Sequence, residues 1–206
     1  MTDYFELLGE PRRPWVDREQ LKTRVLALSA QVHPDRFHSA TEAERRAAGA
    51  RFAELNAAAR CIGDTKERLQ HLLALERGGK NGRIHTVPAQ LSSIFTDVAG
   101  ALRSSEDVLR GKAAATSPML KLQAMQRALD CAEQLRVLHG QLAALREAGE
   151  SELEQLNATW EAAPAPHDAG REAALPLDSL ERICSLLSFV GRWSAQLQER
   201  AVQLTM

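Results

Sequence analysis

Apolar residues along this chain of 206 residues recur at steps of three and four, which is the spacing of one face of an α-helix. The segment that follows Asp17 shows the pattern clearly. Its apolar residues are Leu21, Val25, Leu28 and Val32. The sequence lacks alternating apolar and polar runs bounded by turn residues, which would predict β-strands. The pattern therefore predicts an all-α protein.

Several predicted helices open with a residue able to cap the first turn, followed three positions later by Glu or Gln. These pairs are Asp17 with Gln20, Thr41 with Glu44, and Asp64 with Glu67. A short helix over about Tyr4–Leu8 precedes them and is predicted to end at Gly9. Pro34 disfavours helical geometry at His33, so the second helix is predicted to end there. The second and third helices are predicted to pack antiparallel, with residues 33–40 exposed at the tip.

The second half of the chain is again helical in pattern, and three helices of this length predict an antiparallel bundle. The first of them is predicted over about residues 88–110. Ser117 and Pro118 are a cap and a first-turn proline, which open a long second helix. The last helix is predicted to open at Asp178 with Glu181. Its apolar face contains Ile183, Leu186, Leu187, Val190, Trp193 and Leu197.

The long helix after Pro118 leaves two alternatives open. It either continues past Gly149 to Trp160 or breaks there and restarts at Ser151. Its apolar residues keep the three-four spacing and are Leu122, Met125, Leu129, Ala132, Leu135, Leu138, Leu142 and Leu145. This spacing also suits a coiled coil that joins two chains. A bundle within one chain is favoured, with these residues in its core, because two further amphipathic helices in the same half also need partners.

A glycine-rich segment after the fourth helix predicts a boundary between two domains. Residues 78–87, with the sequence GGKNGRIHTV, are predicted to be a linker. They divide an N-terminal domain over residues 1–77 from a helical bundle over residues 88–206. A Pro- and Ala-rich stretch near residues 161–176 predicts a flexible insert in the bundle.

Composition excludes several classes of function. The net charge is −1, so no overall basic field draws the chain onto nucleic acid or anionic lipid. No apolar run approaches the length of a membrane span, and the first residues show neither a secretory signal nor a transit peptide. A cytoplasmic location is expected, without nucleic-acid or membrane partners. The cysteines are far apart in apolar helical patterns and are expected to be buried hydrophobes: Cys61, Cys131 and Cys184.

The stretch AQVHPDRFHS brings His33, Asp35 and His38 into one short loop. A metal-dependent enzyme that uses these three residues is one alternative, but zinc sites usually draw ligands from a rigid helix spacing plus a distant residue. A catalytic base needs a pocket that excludes water, which a hairpin tip does not supply. A third alternative is purely structural, with His33 capping the second helix. We expect no catalytic residue, no native metal site and no cofactor.

Three segments together resemble the J-domain co-chaperones: DYFELLG at residues 3–9, HPDRF at residues 33–37 and FAELNAAARCIGD at residues 52–64. The resemblance implies an N-terminal J-domain, an antiparallel hairpin with short helices. Its His-Pro-Asp loop would dock on an ATP-loaded Hsp70 and stimulate ATP hydrolysis by that partner. The residues expected at this contact are His33, Pro34, Asp35 and Arg36 of the loop, with Lys22 and Arg24 of the second helix.

The segments HPDRF, FAELNAAA and RLQHLLAL, the last at residues 68–75, are similar to the HscB co-chaperones of iron–sulfur cluster assembly. This resemblance implies an HscA-like Hsp70, a client that is an IscU-like scaffold protein, and a C-terminal three-helix bundle. The second helix has Ala27 and Gln31 where J-domains often carry Lys, which indicates a dedicated Hsp70.

The client surface is expected on the helix over about residues 88–110. Ile94 and Asp97 are expected at its exposed edge, whereas Phe95 and Val98 belong to a stripe expected mainly in the bundle core. The segment AQLSSIFTDVAGALRSSED lacks most of the acidic residues that HscB proteins present there. A J-domain co-chaperone with a different client is therefore the alternative.

Overall fold

The computed structural model describes residues 1–78 and 91–206. In this part of the chain there are α-helices and one 3-10 helix but no β-strand, so the all-α prediction is confirmed. The α-helices are α1 (Tyr4–Leu8), α2 (Arg18–Gln31), α3 (Glu42–Gly63), α4 (Thr65–Glu76), α5 (Ser92–Ala114), α6 (Pro118–Ala162), α7 (Arg171–Ala174) and α8 (Leu177–Thr205). The 3-10 helix, Pro34–Phe37, lies between α2 and α3. No described helix is both long enough and apolar enough to cross a membrane.

The predicted caps open and close the N-terminal helices. Asp17 Oδ1 accepts hydrogen bonds from two backbone N–H groups in the first turn of α2, at 2.9 and 3.1 Å. Thr41 and Glu44 form a complete capping box at the start of α3. Gly9 ends α1 with a φ of 66°, a left-handed conformation that glycine adopts without strain. The helix ends are determined by nearby residues, because the unpaired amides and carbonyls of each helix terminus find partners within a few positions.

The chain divides into two compact units, each built from two separate stretches of sequence. Unit 1 contains Met1–Arg83 and Glu152–Cys184, and unit 2 contains Ile84–Ser151 and Ser185–Met206. Helices α6 and α8 therefore contribute residues to both units. Apart from Gly78, the predicted linker lies outside the described residues, and the predicted domain division at that linker stays a prediction.

Unit 1 combines an apolar core with buried polar contacts between distant segments. The core includes Phe5, Leu8, Leu21, Leu55, Ile62, Leu69 and Leu72. The Glu76 carboxylate of α4 accepts two hydrogen bonds from the Arg171 guanidinium, at 2.8 and 2.9 Å, and both side chains are buried. Asn157 exchanges two 3.0 Å hydrogen bonds with the backbone of Trp15. The insert predicted near residues 161–176 is thus bound to α4 through Arg171.

In unit 2, α5 and parts of α6 and α8 surround one apolar core. Its buried residues are Leu91, Ile94, Val98, Ala128, Cys131, Leu135, Leu142, Leu186, Val190, Trp193, Leu197 and Leu204. Helix α6 passes Gly149 without a break, which decides between the two predicted alternatives. A Cβ atom added at Gly149 would lie 3.2 Å from Leu187 Cδ2, so glycine permits the close approach of α8.

The predicted apolar stripe of α6 is only partly a core stripe. Leu135 and Leu142 are fully buried, but Leu122, Met125 and Leu129 are 69%, 57% and 47% exposed. Their predicted place in the core is therefore wrong. The reason is geometric: along this part of α6 the side that faces the core carries small residues instead. These are Ala128 and Cys131.

Candidate functional site

Residues 33–40 form the exposed tip between α2 and α3, as predicted. His33 is the N-cap of the 3-10 helix and has an extended backbone (φ −62°, ψ 132°), the conformation favoured before proline. The Arg36 N–H donates to the His33 carbonyl and the Ala40 N–H donates to the Phe37 carbonyl, both at 3.0 Å. The path of the tip is therefore determined by hydrogen bonds within a few residues.

The side chains of His33 and Asp35 lie together at this tip. His33 Nδ1 accepts a hydrogen bond from the Asp35 backbone N–H at 3.3 Å and lies 3.5 Å from Asp35 Oδ2. The His33 ring also meets the Phe52 ring of α3 edge-on, with centroids 5.5 Å apart. The Asp35 side chain is 89% exposed. The imidazole is thus supported by α3, while the carboxylate is accessible to a partner.

The three basic side chains expected at the partner contact differ in availability. Arg24 Nε binds the Glu10 carboxylate at 3.0 Å, and its guanidinium also donates to the Gly9 carbonyl. Arg36 donates to a backbone carbonyl in the last turn of α2 at 3.2 Å. Lys22 is exposed and has no hydrogen-bond or ion-pair partner among the described residues. Arg24 therefore connects α2 to the end of α1, and of these three residues only Lys22 has a charged group without a partner among the described residues.

The residues weighed as metal ligands make contacts within the tip. His38 Nδ1 lies 3.1 Å from the Asp35 backbone carbonyl oxygen. It therefore contacts the backbone of Asp35, whereas His33 lies beside the Asp35 carboxylate. Within residues 1–78 and 91–206, no group of three or more His, Cys, Asp or Glu is placed to hold a metal ion. Burial raises the pKa of the Cys61 thiol to about 11, which disfavours the thiolate needed for nucleophilic attack or metal binding. That the chain has no native metal site stays a prediction for metal analysis to test.

The structure corrects the expected exposures on α5. Ile94 is 7% exposed and Val98 is 2% exposed, whereas Phe95 is 47% exposed and Asp97 is also exposed. The expectation that Ile94 lies at an exposed edge and Phe95 in the core is wrong. Leu91, Ile94 and Val98 occupy the core face at steps of three and four, which turns Phe95 outward. Because Ile94 and Phe95 are both apolar, periodicity alone could not predict which of them faces the core.

Phe95 belongs to an aromatic cluster, which we define as Phe95, Phe189 and Trp193. The Trp193 ring centroid lies 5.7 Å from that of Phe95 and 5.6 Å from that of Phe189. The Arg192 guanidinium lies 5.6 Å from the Phe189 centroid, within the range of a cation–π contact. Trp193 is buried and Phe95 is exposed, so the cluster reaches solvent through Phe95. Phe189 could not be predicted as part of this site, because no local spacing connects α8 with α5.

Comparison with known proteins identifies the fold. No protein-family model matches this sequence. The chaperone HscB from Vibrio cholerae is similar over 95% of this chain and 99% of that chain, with 23% sequence identity and a TM-score of 0.54. The human co-chaperone protein HscB is similar over 98% of this chain and 81% of that chain, with 16% identity and a TM-score of 0.56. The chain therefore has the fold of the HscB co-chaperones.

Proposed function

We propose that this chain is a co-chaperone that stimulates the ATPase of an HscA-like Hsp70 through the loop His33, Pro34 and Asp35. The observation that carries the proposal is the exposed Asp35 carboxylate beside a His33 ring supported by Phe52. A carboxylate in this setting accepts a charge-assisted, bidentate bond from an Arg on a partner. Since the tip is ordered by its own hydrogen bonds, little entropy is lost when it docks.

In this proposal the chain performs no chemistry of its own. It binds one conformation of the Hsp70 more tightly than others and so shifts the partner toward the state that hydrolyses ATP. Lys22 and Arg36 attract an acidic surface on the partner, and this attraction weakens as salt rises. Arg24 also forms an ion pair with Glu10 that connects α2 to the end of α1, and its contact with the Hsp70 stays part of the proposal.

We further propose that the aromatic cluster, with the exposed Asp97 nearby in sequence, receives the client. The HscB resemblance makes an IscU-like iron–sulfur scaffold protein the first client to test. Aromatic side chains with a buried anchor and an exposed edge are typical of binding hot spots. The alternative, a J-domain co-chaperone with a different client, rests on the scarcity of acidic residues on α5.

The test of the docking role is single-turnover ATP hydrolysis by the cognate Hsp70. Asp35→Asn should abolish the stimulation, because losing a charge-assisted contact in a docked interface costs about 2–5 kcal/mol. The melting temperature should not move, since exposed substitutions shift stability by within about 0.5 kcal/mol. Asp107→Asn is the matched control, because Asp107 is 75% exposed on α5 and lies outside the tip. Full stimulation by Asp35→Asn would refute the docking role.

A second arm of the same assay tests the client. An IscU-like scaffold protein should bind the wild-type chain and raise the stimulation further. If Asp35→Asn abolishes stimulation and the scaffold does not bind, the Hsp70 role stands and the iron–sulfur client is wrong.

A further inference from the structure

The proposed contact with the Hsp70 does not involve His38, the residue that follows the 3-10 helix of the tip. The His38 side chain is exposed, and its Nδ1 lies 3.1 Å from the Asp35 backbone carbonyl oxygen, which is hydrogen-bond distance. A carbonyl oxygen only accepts hydrogen bonds, so the ring donates through Nδ1–H. Both the neutral Nδ1–H tautomer and the imidazolium carry this proton. His38 is therefore bonded to the backbone of the residue that is proposed to meet the Hsp70.

The backbone of Asp35 is held on both sides of its Cα atom. In the peptide unit before it, the Asp35 N–H donates to His33 Nδ1 at 3.3 Å. In the peptide unit after it, the Arg36 N–H donates to the His33 carbonyl at 3.0 Å, and the Asp35 carbonyl accepts from His38. Because each peptide unit is planar and rigid, holding the units on both sides of a Cα atom sets φ and ψ of that residue. The direction in which the Asp35 side chain leaves the backbone is then set as well.

The Asp35 carboxylate depends on this backbone for its direction. The side chain is 89% exposed, and its Oδ2 lies 3.5 Å from His33 Nδ1, which is longer than a strong hydrogen bond. A bidentate bond to an Arg requires both carboxylate oxygens to point the right way. A tip that holds this direction before the partner arrives loses less entropy on docking.

We propose that His38 is a positioning residue whose bond to the Asp35 carbonyl keeps the tip in the conformation that the Hsp70 binds. This inference rests on the proposed docking role of Asp35. His38 raises the fraction of free chains in which Asp35 is correctly directed, and the apparent dissociation constant equals the intrinsic one divided by that fraction. Loss of the bond therefore weakens docking but leaves the stimulation at saturation unchanged, because every docked tip has the competent conformation.

The test is single-turnover ATP hydrolysis by the cognate Hsp70, titrated with full-length variants of this chain. His38→Ala should raise the concentration for half-maximal stimulation about three- to tenfold, which corresponds to one ordinary hydrogen bond, with an unchanged maximum. His38→Asn should restore the wild-type value, because its amide nitrogen replaces Nδ1 as the donor. His38→Leu has a similar shape to His38→Asn without a donor and should behave like His38→Ala. Wild-type half-maximal stimulation by His38→Ala, or no recovery in His38→Asn, overturns the proposal.

Ser39→Ala is the matched control. Ser39 is the next residue of the tip and is exposed, and its side chain makes no hydrogen bond to another described residue. Ser39→Ala should stimulate like the wild type, and all of these variants should melt at the wild-type temperature. Equal weakening by Ser39→Ala and His38→Ala would mean that any change at this end of the tip disturbs docking, and would overturn the specific role of His38.

A measurement on the free chain separates positioning from a direct contact between His38 and the Hsp70. The Arg36 N–H belongs to the same peptide unit as the Asp35 carbonyl, so releasing that carbonyl should speed solvent exchange of the Arg36 amide. NMR of the chain alone should show faster exchange in His38→Ala and the wild-type rate in His38→Asn. An unchanged rate in His38→Ala together with weakened docking would place His38 in the contact itself and overturn the proposal.

The Asp35→Asn variant separates a failure of this inference from a failure of the proposed function. If Asp35→Asn keeps full stimulation, the docking role and the positioning role are both overturned. If Asp35→Asn abolishes stimulation and His38→Ala titrates like the wild type, only the positioning role is wrong. Stoichiometric zinc that the purified wild-type chain retains and His38→Ala loses would make His38 a metal ligand, which also overturns the positioning role.

Discussion

The tip at residues 33–40 and the aromatic cluster are both proposed to bind partners, and they are built in different ways. The tip is a continuous piece of chain whose hydrogen bonds join residues at most six positions apart. Phe52 of α3, which is distant in sequence, supports the tip through its edge-on contact with His33. The aromatic cluster joins Phe95 of α5 to two residues of α8, and no cap or turn defines it.

This difference explains why the tip could be predicted from the sequence and the aromatic cluster could not. A proline, its preceding residue and a capping side chain restrict the backbone locally, so their effect can be predicted from a few letters. The rotation of α5 about its axis depends on which apolar residues fill the core of unit 2. The same rotation decides that Phe95 faces solvent and Ile94 does not.

The stability of unit 1, which carries the tip, should depend strongly on the buried ion pair of Glu76 with Arg171. Glu76→Ala removes the carboxylate and leaves the buried Arg171 guanidinium without its partner, which should lower the free energy of unfolding by about 3–5 kcal/mol. Glu42→Ala is the control, because the pair of Glu42 with Arg46 is largely exposed and such changes stay within about 0.5 kcal/mol. Urea unfolding followed by circular dichroism measures both. Similar decreases in the free energy of unfolding of the two variants would show that the buried pair stabilises the fold no more than the exposed pair does.

Removing the exposed Phe95 ring should weaken binding of the client and leave the contact with the Hsp70 unchanged. Phe95→Ala should weaken scaffold binding by about 2 kcal/mol, which is roughly 30-fold, because exposed aromatic anchors dominate binding. Stimulation of the Hsp70 without scaffold should stay at the wild-type level. Val202→Ala serves as control, since Val202 of α8 is 46% exposed, close to the 47% of Phe95, and lies nine positions after Trp193 in the sequence. Calorimetric titration of the scaffold gives the affinities, and equal binding by Phe95→Ala and wild type would exclude the cluster as the client site.

Salt should distinguish the two surfaces with a moderate effect. Raising the salt from about 50 mM to about 500 mM should weaken stimulation of the Hsp70 several-fold, since charged side chains steer that contact. Scaffold binding at the aromatic cluster should change little over the same range, because its contacts are mainly apolar. Lys22→Ala should reduce the salt dependence of stimulation. If scaffold binding falls with salt as steeply as stimulation does, the contrast between the surfaces is wrong.

Protonation of His71 at low pH should destabilise unit 1, which carries the tip. This is expected to be the smallest of the four effects. Burial lowers the pKa of His71, with Asp3 opposing and Arg12 adding to the shift. His71 Nε2 accepts a hydrogen bond from the Tyr4 N–H at 3.1 Å, which requires the neutral ring. Because the folded pKa lies below the unfolded value of about 6.5, unfolding takes up a proton as pH falls.

The stability contributed by neutral His71 is therefore complete above about pH 6.5 and decreases below it. Hydrogen exchange of the α1 amides should be faster at pH 5.5 than at pH 7.5, after correction for the intrinsic rate. His71→Gln keeps an acceptor near the Tyr4 N–H and does not titrate, so its protection should not vary between the two pH values. The amides of α8 within unit 2 should show no change due to His71. An identical pH response in His71→Gln and wild type would remove His71 as the cause.

Much of the fold could be predicted where the signal is short-range. The caps at Asp17, Thr41 and Asp64 open α2, α3 and α4 as predicted, because a side-chain oxygen reaches backbone amides only two or three residues away. The continuity of α6 through Gly149 could not be decided from the sequence. A glycine weakens an isolated helix, but here it admits Leu187 of α8 at close range, and that neighbour is distant in sequence.

The sequence by itself determined the all-α class, most helix ends and the position of the exposed tip, because caps, prolines and glycines act through bonds within one turn of chain. Only the tertiary structure decided which apolar residues are core and which are surface. On α5 it buried Ile94 and exposed Phe95, and on α6 it left Leu122, Met125 and Leu129 outside. The physical reason is that the hydrophobic effect is non-directional. Periodicity identifies a helix with an apolar stripe, but the neighbouring helices select which part of that stripe they cover.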